Sequence, residues 1–259
     1  MRRFFFFPAL LLLLGAATIA GCAALRAPTV PMPTQVVRAA CPADTLLVLL
    51  PGAHSSIDEF EQDGGWLSAL RARRIAADVM LADAHMGYYR DQSVVDRLQA
   101  DVFAQARAAG YRQVWLAGIS LGGFGSLLNE WAVPGRTSGL IVLAPYLGEP
   151  PLIKQIEAAG GLRRWQPPAQ APDADDPLAE VELRLWRWLR QHTAGEAGAR
   201  PPLYLGYGTE DRFAQGHRLL AAALPAERVF TTPGGHDWPQ WRRLWLQVLE
   251  RVPLPRCAA

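Results

Sequence analysis

The chain has 259 residues, of which 50% are hydrophobic and 19% are charged, so it can bury a sizeable core and is too apolar to be disordered. Its 26 basic and 24 acidic residues become 24 and 24 once Arg2 and Arg3 of the expected leader are left out, and a chain without formal net charge lacks the basic field of a nucleic-acid-binding protein. Three cysteines are too few for a disulfide scaffold.

Residues 1–21 have the layout of a signal peptide. Two arginines come first, and an apolar run follows from Phe4 to Ala20. The run ends in IAGC, with small residues directly before Cys22, and this ending resembles the bacterial lipobox. The resemblance implies cleavage before Cys22, acylation of that cysteine and a lipid anchor in the cell envelope. Because the residue after Cys22 is Ala23 rather than an aspartate, the resemblance implies that the lipoprotein is sorted to the outer membrane. The alternatives are an ordinary secretory signal or an uncleaved anchor.

Residues 22–43 are rich in proline and alanine, and we expect an extended tether there. Cys41 and Cys257 bracket the domain that follows, which we place at 44–257. Export puts both thiols in a compartment that permits disulfides. We expect them to pair, because both should lie on the face opposite the strand ends that carry the chemistry. Two unpaired thiols are the alternative.

The domain is predicted to alternate strands and helices. Strands are predicted over 45–50, 76–82, 113–117, 139–144, 201–207 and 228–232. Helices are predicted over 57–74, 92–109, 121–131, 215–223 and 239–251. Continuous apolar runs such as TLLVLL (45–50) are typical of strands buried on both faces, and the alternation favours a mostly parallel sheet of about six strands flanked by helices. No later segment is long and apolar enough to span a membrane.

Residues 149–200 interrupt the alternation, because they are far longer than one crossover needs. A loop rich in proline, alanine and aspartate covers 166–177, and a helix is predicted over 178–192. One face of that helix carries Leu178, Val181, Leu185, Trp188 and Leu189. The segment is either a plain crossover helix or a cap over the active site.

A nucleophile motif lies between a predicted strand and a predicted helix. Residues 118–122 read GISLG and fit G-x-S-x-G, with Ser120 at its centre. Gly118 and Gly122 suit a strand-to-helix turn that is too tight for side chains. A serine hydroxyl needs a base, and His236 follows the last predicted strand in a glycine-rich loop.

The remaining site candidates also follow predicted strands. Asp211 is the natural acid to orient the base, with Glu210 ranked second. An oxyanion hole needs two backbone N–H groups, and we assign them to Leu121 and Ala53. His54 and His85 follow the first two predicted strands, whereas His192 and His217 fall in helices and are expected to be bland packing or surface residues.

The order Ser120, Asp211, His236 resembles that of the α/β-hydrolase family, over about residues 44–252. No counterpart of the family's first two antiparallel strands is visible. The resemblance implies a serine hydrolase that cleaves carboxylic or thio-esters through an acyl-enzyme, on small-molecule or lipid-like substrates, without metal or cofactor. Two other readings stay open: acyl transfer or cofactor-free perhydrolysis on the same triad, and a non-catalytic envelope lipoprotein that uses the fold for binding.

Overall fold

Seven strands form one mixed sheet. The computed structural model describes residues 26–171, 177–195 and 200–258. The strands in chain order are β1 (Thr34–Val37), β2 (Thr45–Leu50), β3 (Asp78–Ala82), β4 (Gln113–Ile119), β5 (Gly139–Leu143), β6 (Leu203–Gly208) and β7 (Val229–Thr232). Their spatial order is β1-β3-β2-β4-β5-β6-β7. β1 is antiparallel to β3 and every other neighbouring pair is parallel, so the mostly parallel sheet is confirmed.

Helices cover both faces of the sheet. They are α1 (Glu59–Gln62), α2 (Trp66–Ala72), α3 (Met86–Arg90), α4 (Val94–Arg97), α5 (Ala104–Ala108), α6 (Leu121–Ala132), α7 (Pro150–Ala158), α8 (Pro177–Thr193), α9 (Ala214–Ala221) and α10 (Trp238–Val248). Apolar residues of α1, α2 and α10 pack on one face, and those of α4–α9 on the other. None of the helices in the described part of the chain is long and apolar enough to cross a membrane.

The inner strand β2 shows why the run from Leu46 to Leu50 is apolar throughout. All of its residues are buried. Leu46, Val48 and Leu50 join the core on one face, whereas Leu47 and Leu49 join the core on the other. Successive side chains point to opposite faces of a strand, so a strand covered on both sides needs an unbroken apolar run.

The sheet has seven strands rather than about six, because β1 lies in the segment expected to be a tether. The expectation that both opening antiparallel strands are missing was therefore wrong for one of them. The tether prediction was also wrong for residues 26–43. Arg26 forms an ion pair with Asp83 at 2.5 Å, and the buried Met32 donates its N–H to Asp101 at 2.8 Å. β1 escaped prediction because this edge strand is only four residues long and none of them is fully buried.

Two predicted helices are interrupted in the structure. The helix expected over 57–74 splits into α1 and α2 at Gly64 and Gly65. Gly65 has a φ of 60°, and a side chain on Gly64 would press against Trp66 and Trp238. The helix expected over 92–109 is helical from Val94 to Ala108, and it contains a π-helical segment, Leu98–Phe103, between α4 and α5.

The insertion at 149–200 contains α7, which was not predicted, and α8, which confirms the helix expected over 178–192. The buried face of α8 differs from the predicted stripe, since Leu183 and Trp186 are fully buried beside Leu185 and Leu189. Trp186 donates its indole N–H to the carbonyl of Leu147 at 2.5 Å, which attaches α8 to the loop after β5. Residues 172–176 and 196–199 of the insertion lie outside the described residues, as do the expected signal peptide and Cys22.

Both ends of the domain meet at the amino-terminal edge of the parallel strands. Cys41 and Cys257 form a disulfide with Cα atoms 5.9 Å apart. Cys257 also donates its N–H to the carbonyl of Arg74 at 2.7 Å. Arg74 precedes β3 and Cys41 precedes β2, so the bond lies opposite the carboxyl ends of these strands.

Candidate active site

Ser120 occupies the turn between β4 and α6. Its backbone has φ 52° and ψ −112°, a conformation that a residue with a side chain rarely adopts. Two hydrogen bonds hold it there: the Ser120 N–H donates to Leu143 at 2.9 Å, and the Ser120 carbonyl accepts from the N–H of Tyr146 at 3.0 Å. The last residue of β5 and the loop that follows it therefore hold the strained residue from the side.

The glycines on either side of Ser120 are required by close backbone contacts. A Cβ atom on Gly118 would overlap the carbonyl group of Gly122 one turn later. A Cβ atom on Gly122 would overlap the carbonyl group of Leu50 at the end of β2. The G-x-S-x-G spacing thus follows from how closely α6 begins beside β4 and β2.

His236 joins Ser120 to Asp211. Its Nε2 lies 2.9 Å from Ser120 Oγ, and its Nδ1 lies 2.7 Å from Asp211 Oδ2. A carboxylate can only accept, so Nδ1 carries the hydrogen of the neutral ring and Nε2 is left to accept the serine proton. Burial alone would raise the pKa of Asp211, but hydrogen bonds from the His236 ring and the Phe213 N–H outweigh burial and hold that pKa below its ordinary value.

The loops that carry Asp211 and His236 are bonded to each other. The N–H groups of Thr209 and Glu210 donate to the carbonyls of Thr232 and Gly234, at 2.9 and 3.0 Å. A side chain at Gly208 would overlap the Gly234 carbonyl, so only glycine permits this approach. These contacts hold the two loops together, which fixes the distance between Asp211 and His236.

Aromatic rings fix the position of the imidazole. The rings of Phe213 and Trp241 each lie 5.2 Å from His236, at 83° and 89° to its plane. Trp241 belongs to α10, whose first turn is capped by the side chain of Asp237. Asp237 is thus occupied as a helix cap rather than as the acid partner of its neighbour His236.

A mostly apolar pocket of about 690 Å³ opens at Ser120. Its volume falls within the range of about 300–1,000 Å³ that is typical of small-molecule sites. Leu121 and Ala53, the predicted oxyanion residues, both line it. Leu121 is the first residue of α6, so its N–H has no acceptor within the helix. Leu178 and Val181 of α8 line the pocket as well, which places the insertion over the site.

Tyr146 and Glu149 of the pocket wall belong to a polar cluster with Glu182, and sequence reasoning missed both glutamates. The hydroxyl of Tyr146 is bonded to Glu149 at 2.9 Å and to Glu182 of α8. Glu182, only 1% exposed, also accepts the N–H of Glu149 at 2.9 Å. Burial and the bond to Glu182 raise the pKa of Tyr146, so the hydroxyl stays protonated. No sequence signal separates Glu182 from the other charged residues of its helix, because its partners are distant in sequence.

The remaining histidines and the second-ranked acid lie outside the group of Ser120, His236 and Asp211. His54 lines the pocket, whereas the ring of His85 accepts the Gly87 N–H at 3.1 Å and caps α3. His217 is fully buried, with its Nε2 2.8 Å from the carbonyl of Pro145. The side chain of Glu210, the second-ranked acid, is exposed. Within the described residues, no group of three or more His, Cys, Asp or Glu is arranged to hold a metal ion.

Solved structures with the same architecture exist, although no family model and no curated protein sequence matches the chain. Est1E from Butyrivibrio proteoclasticus has a TM-score of 0.56 at 16% identity, covering 84% of this chain and 90% of that one. FphF, a fluorophosphonate-binding serine hydrolase of Staphylococcus aureus, has a TM-score of 0.53 at 14% identity, covering 85% and 91%. MGS-MChE2, an α/β-hydrolase enzyme from a lagoon-sediment metagenome in Mar Chica, Morocco, has a TM-score of 0.51 at 13% identity, covering 84% and 93%. At these identities the likeness concerns the fold alone, and the chain has the α/β-hydrolase fold.

Proposed function

We propose that the protein is a serine hydrolase that cleaves carboxylic or thio-esters through an acyl-enzyme. The observation that carries the proposal is the pair of hydrogen bonds that links Asp211, His236 and Ser120 at the mouth of an apolar pocket. The strained backbone of Ser120 supports it, since strain of this kind clusters at functional sites. The likeness of the fold to that of known hydrolases is consistent with it.

In the proposed acylation step, Ser120 Oγ attacks the acyl carbon while His236 Nε2 takes the serine proton. Asp211 holds the ring by Nδ1 and stabilises the imidazolium that forms. The N–H groups of Leu121 and Ala53 bind the oxyanion. Collapse of the tetrahedral intermediate breaks the bond to the alcohol or thiol, which leaves with the proton from Nε2.

In the proposed deacylation step, a water molecule replaces the leaving group. His236 takes a proton from this water as the water oxygen attacks the acyl carbon, and returns it to Ser120 Oγ as the acid departs. The cycle uses only groups of this chain and water. If an alcohol takes the place of water, the same steps give acyl transfer.

We also propose that the chain is exported as a lipoprotein, with its anchor on Cys22 and its site in the cell envelope. The IAGC ending of the apolar leader supports this assignment. The disulfide between Cys41 and Cys257 is in keeping with an oxidising compartment. Mass spectrometry of the mature protein tests it: an N-terminal peptide beginning at an acylated Cys22 is expected, and an unmodified N-terminus elsewhere would contradict it.

The activity is tested with p-nitrophenyl esters from acetate to palmitate. We expect turnover by the natural protein and by the surface control Ser68→Ala, and a loss of about 10⁴-fold or more in kcat for Ser120→Ala. A fluorophosphonate should label the natural protein and not Ser120→Ala. Retained turnover in Ser120→Ala, or a folded natural protein that neither hydrolyses esters nor takes the label, would refute the proposal. Product analysis with an added alcohol separates hydrolysis from acyl transfer.

A further inference from the structure

The first described residues lie beside the proposed active site rather than at the far end of the domain. β1 runs antiparallel to β3, with Thr34 opposite Ala82, so the residues before Thr34 lie beyond the carboxyl end of β3. The parallel strands that carry Ser120 and Asp211 end on this same side. The chain thus enters the domain over the face that holds the pocket.

Several contacts fix this entry segment, residues 26–33, to the pocket wall. Arg26 is paired with Asp83, and its carbonyl lies so close to Gly87 of α3 that a side chain there would overlap it. Thr29 exchanges two backbone hydrogen bonds with the hydroxyl of Tyr88, at 3.1 and 3.0 Å. On the same short helix, α3, Met86, Tyr89 and Arg90 line the pocket. The entry segment therefore packs against the outside of the pocket wall.

The distance from this segment to the proposed anchor is short. Cys22 precedes Arg26 by four residues, which span at most about 14 Å when fully extended. The six residues of β2 alone are about 20 Å long. The anchor therefore cannot reach the disulfide, which lies at the amino-terminal ends of the parallel strands. A bilayer that holds the acyl chains of Cys22 has to meet the domain on the side of α3.

The surface on this side suits a bilayer. Val30 of the entry segment is 74% exposed, and Leu178 at the pocket is 40% exposed. Arg90 and Arg212 line the pocket, and neither forms a salt bridge with any residue that the structure describes. The Arg212 guanidinium lies 4.8 Å from the centre of the Phe213 ring. Apolar side chains beside guanidinium groups that have no carboxylate partner among the described residues match the acyl region and the anionic phosphates of a lipid surface.

We propose that the anchor on Cys22 holds the mouth of the Ser120 pocket against the membrane, and that the protein takes its ester substrates from that bilayer. The proposal rests on the ester-hydrolase function and on the lipid anchor proposed above. An ester held in the bilayer enters the apolar pocket without passing through water. The short connection then acts as a positioning device, because it sets both the distance and the orientation of the pocket.

The test compares the lipidated protein in phospholipid vesicles with the same protein carrying an insertion of about 30 flexible Gly/Ser residues between Leu25 and Arg26. The substrate is a fluorogenic long-chain ester embedded in the vesicles, and a water-soluble short ester is the reference. The insertion is expected to lower the rate on the embedded ester about tenfold and to leave the rate on the soluble ester unchanged, because only the effective concentration at the bilayer falls. Equal rates on the embedded ester would overturn the proposal.

A point substitution tests the contact surface directly. Val30→Asp is expected to slow hydrolysis of the embedded ester, whereas Val36→Asp, an exposed valine on the edge strand β1, is the matched control and should not. Equal effects of the two substitutions would count against the proposal.

Amide hydrogen exchange gives a readout that is independent of catalysis. Vesicles should protect the N–H groups of Thr29 and Val30 and those of residues 86–90 in the natural protein and not in the protein with the insertion, and a lack of protection would overturn the proposal. Protection without turnover of the soluble ester would instead overturn the hydrolase function alone.

Discussion

The disulfide between Cys41 and Cys257 should supply a large part of the free energy of unfolding. The two cysteines are 216 residues apart, so the bond closes nearly the whole domain into one loop. In the chain-entropy account, closing a loop of this length lowers the conformational entropy of the unfolded chain, which raises the free energy of unfolding by about 5 kcal/mol at 25 °C. For a domain of this size, the double substitution Cys41→Ser/Cys257→Ser should then lower Tm by about 10–20 °C.

The same substitution should leave catalysis intact at 25 °C. The bond lies at the amino-terminal edge of the parallel strands, whereas Ser120 follows the carboxyl end of β4. The folded position of the C-terminal segment does not depend on the bond alone, since Pro255 accepts the Ala76 N–H at 2.8 Å and Arg256 pairs with Ile75. We therefore expect kcat on a soluble ester to change by less than about twofold.

The assay is urea unfolding together with ester hydrolysis, on the oxidised protein, the two single Cys→Ser variants and the double variant. Each single variant should match the double variant, because removing either thiol opens the loop. The midpoint should fall, and the m-value should rise because the unfolded chain becomes more extended. A loss below about 1 kcal/mol, or a fall in kcat that parallels the fall in stability, would refute the entropic account.

Three further changes test the site. Asp211→Asn should lower kcat about 10⁴-fold with the fold retained, since the ring of His236 loses the carboxylate that sets its tautomer; a loss below about tenfold would contradict that role. Gly208→Ala should lower both kcat and Tm because its Cβ overlaps the Gly234 carbonyl, and unchanged kinetics would show that the two loops can separate freely. Burial lowers the pKa of His217 to about 4, so the unfolded chain binds a proton that the folded chain does not as the pH falls below about 6.5. Burial lowers the pKa of His192 to about 4 as well, so it contributes to the same acid loss. In urea unfolding, the loss of stability between pH 7 and pH 5 should therefore be about 2 kcal/mol smaller in His217→Gln than in the natural protein, and an equal acid loss in both proteins would argue against it.

Local signals made much of the site readable in the sequence. A glycine pair around Ser120 is needed wherever a helix starts this close to two strands, so the motif itself reports the tight turn. Asp211 and His236 each follow an apolar strand, and the carboxyl ends of parallel strands gather on one edge. The structure brings His236 within hydrogen-bond distance of both Ser120 and Asp211.

The sequence did not predict contacts between segments that are far apart in the chain. Glu182 looked like one more charge on an amphipathic helix, and only the packing of α8 over the loop after β5 brings it to Tyr146. β1 was missed because its residues are partly or fully exposed at the edge of the sheet. Such a strand does not need the unbroken apolar run by which buried strands are predicted. The proline-rich composition of 26–33 suggested an extended tether, and it is Asp83, Tyr88 and Asp101 that hold this segment on the domain.

The sequence by itself determined the strand-helix alternation, the position of the turn at Ser120 and the choice of Asp211 and His236 as its candidate partners, because periodicity, glycine spacing and strand ends are local properties of the chain. Only the tertiary structure decided the shape of the pocket, the contacts of Glu182 with Tyr146 and Glu149 of its wall, and the side on which the chain enters the domain. Those features depend on contacts between residues that are far apart in the sequence. Glu182, for example, lies more than 30 residues from Tyr146 and Glu149, so no pattern within one segment predicts their contact.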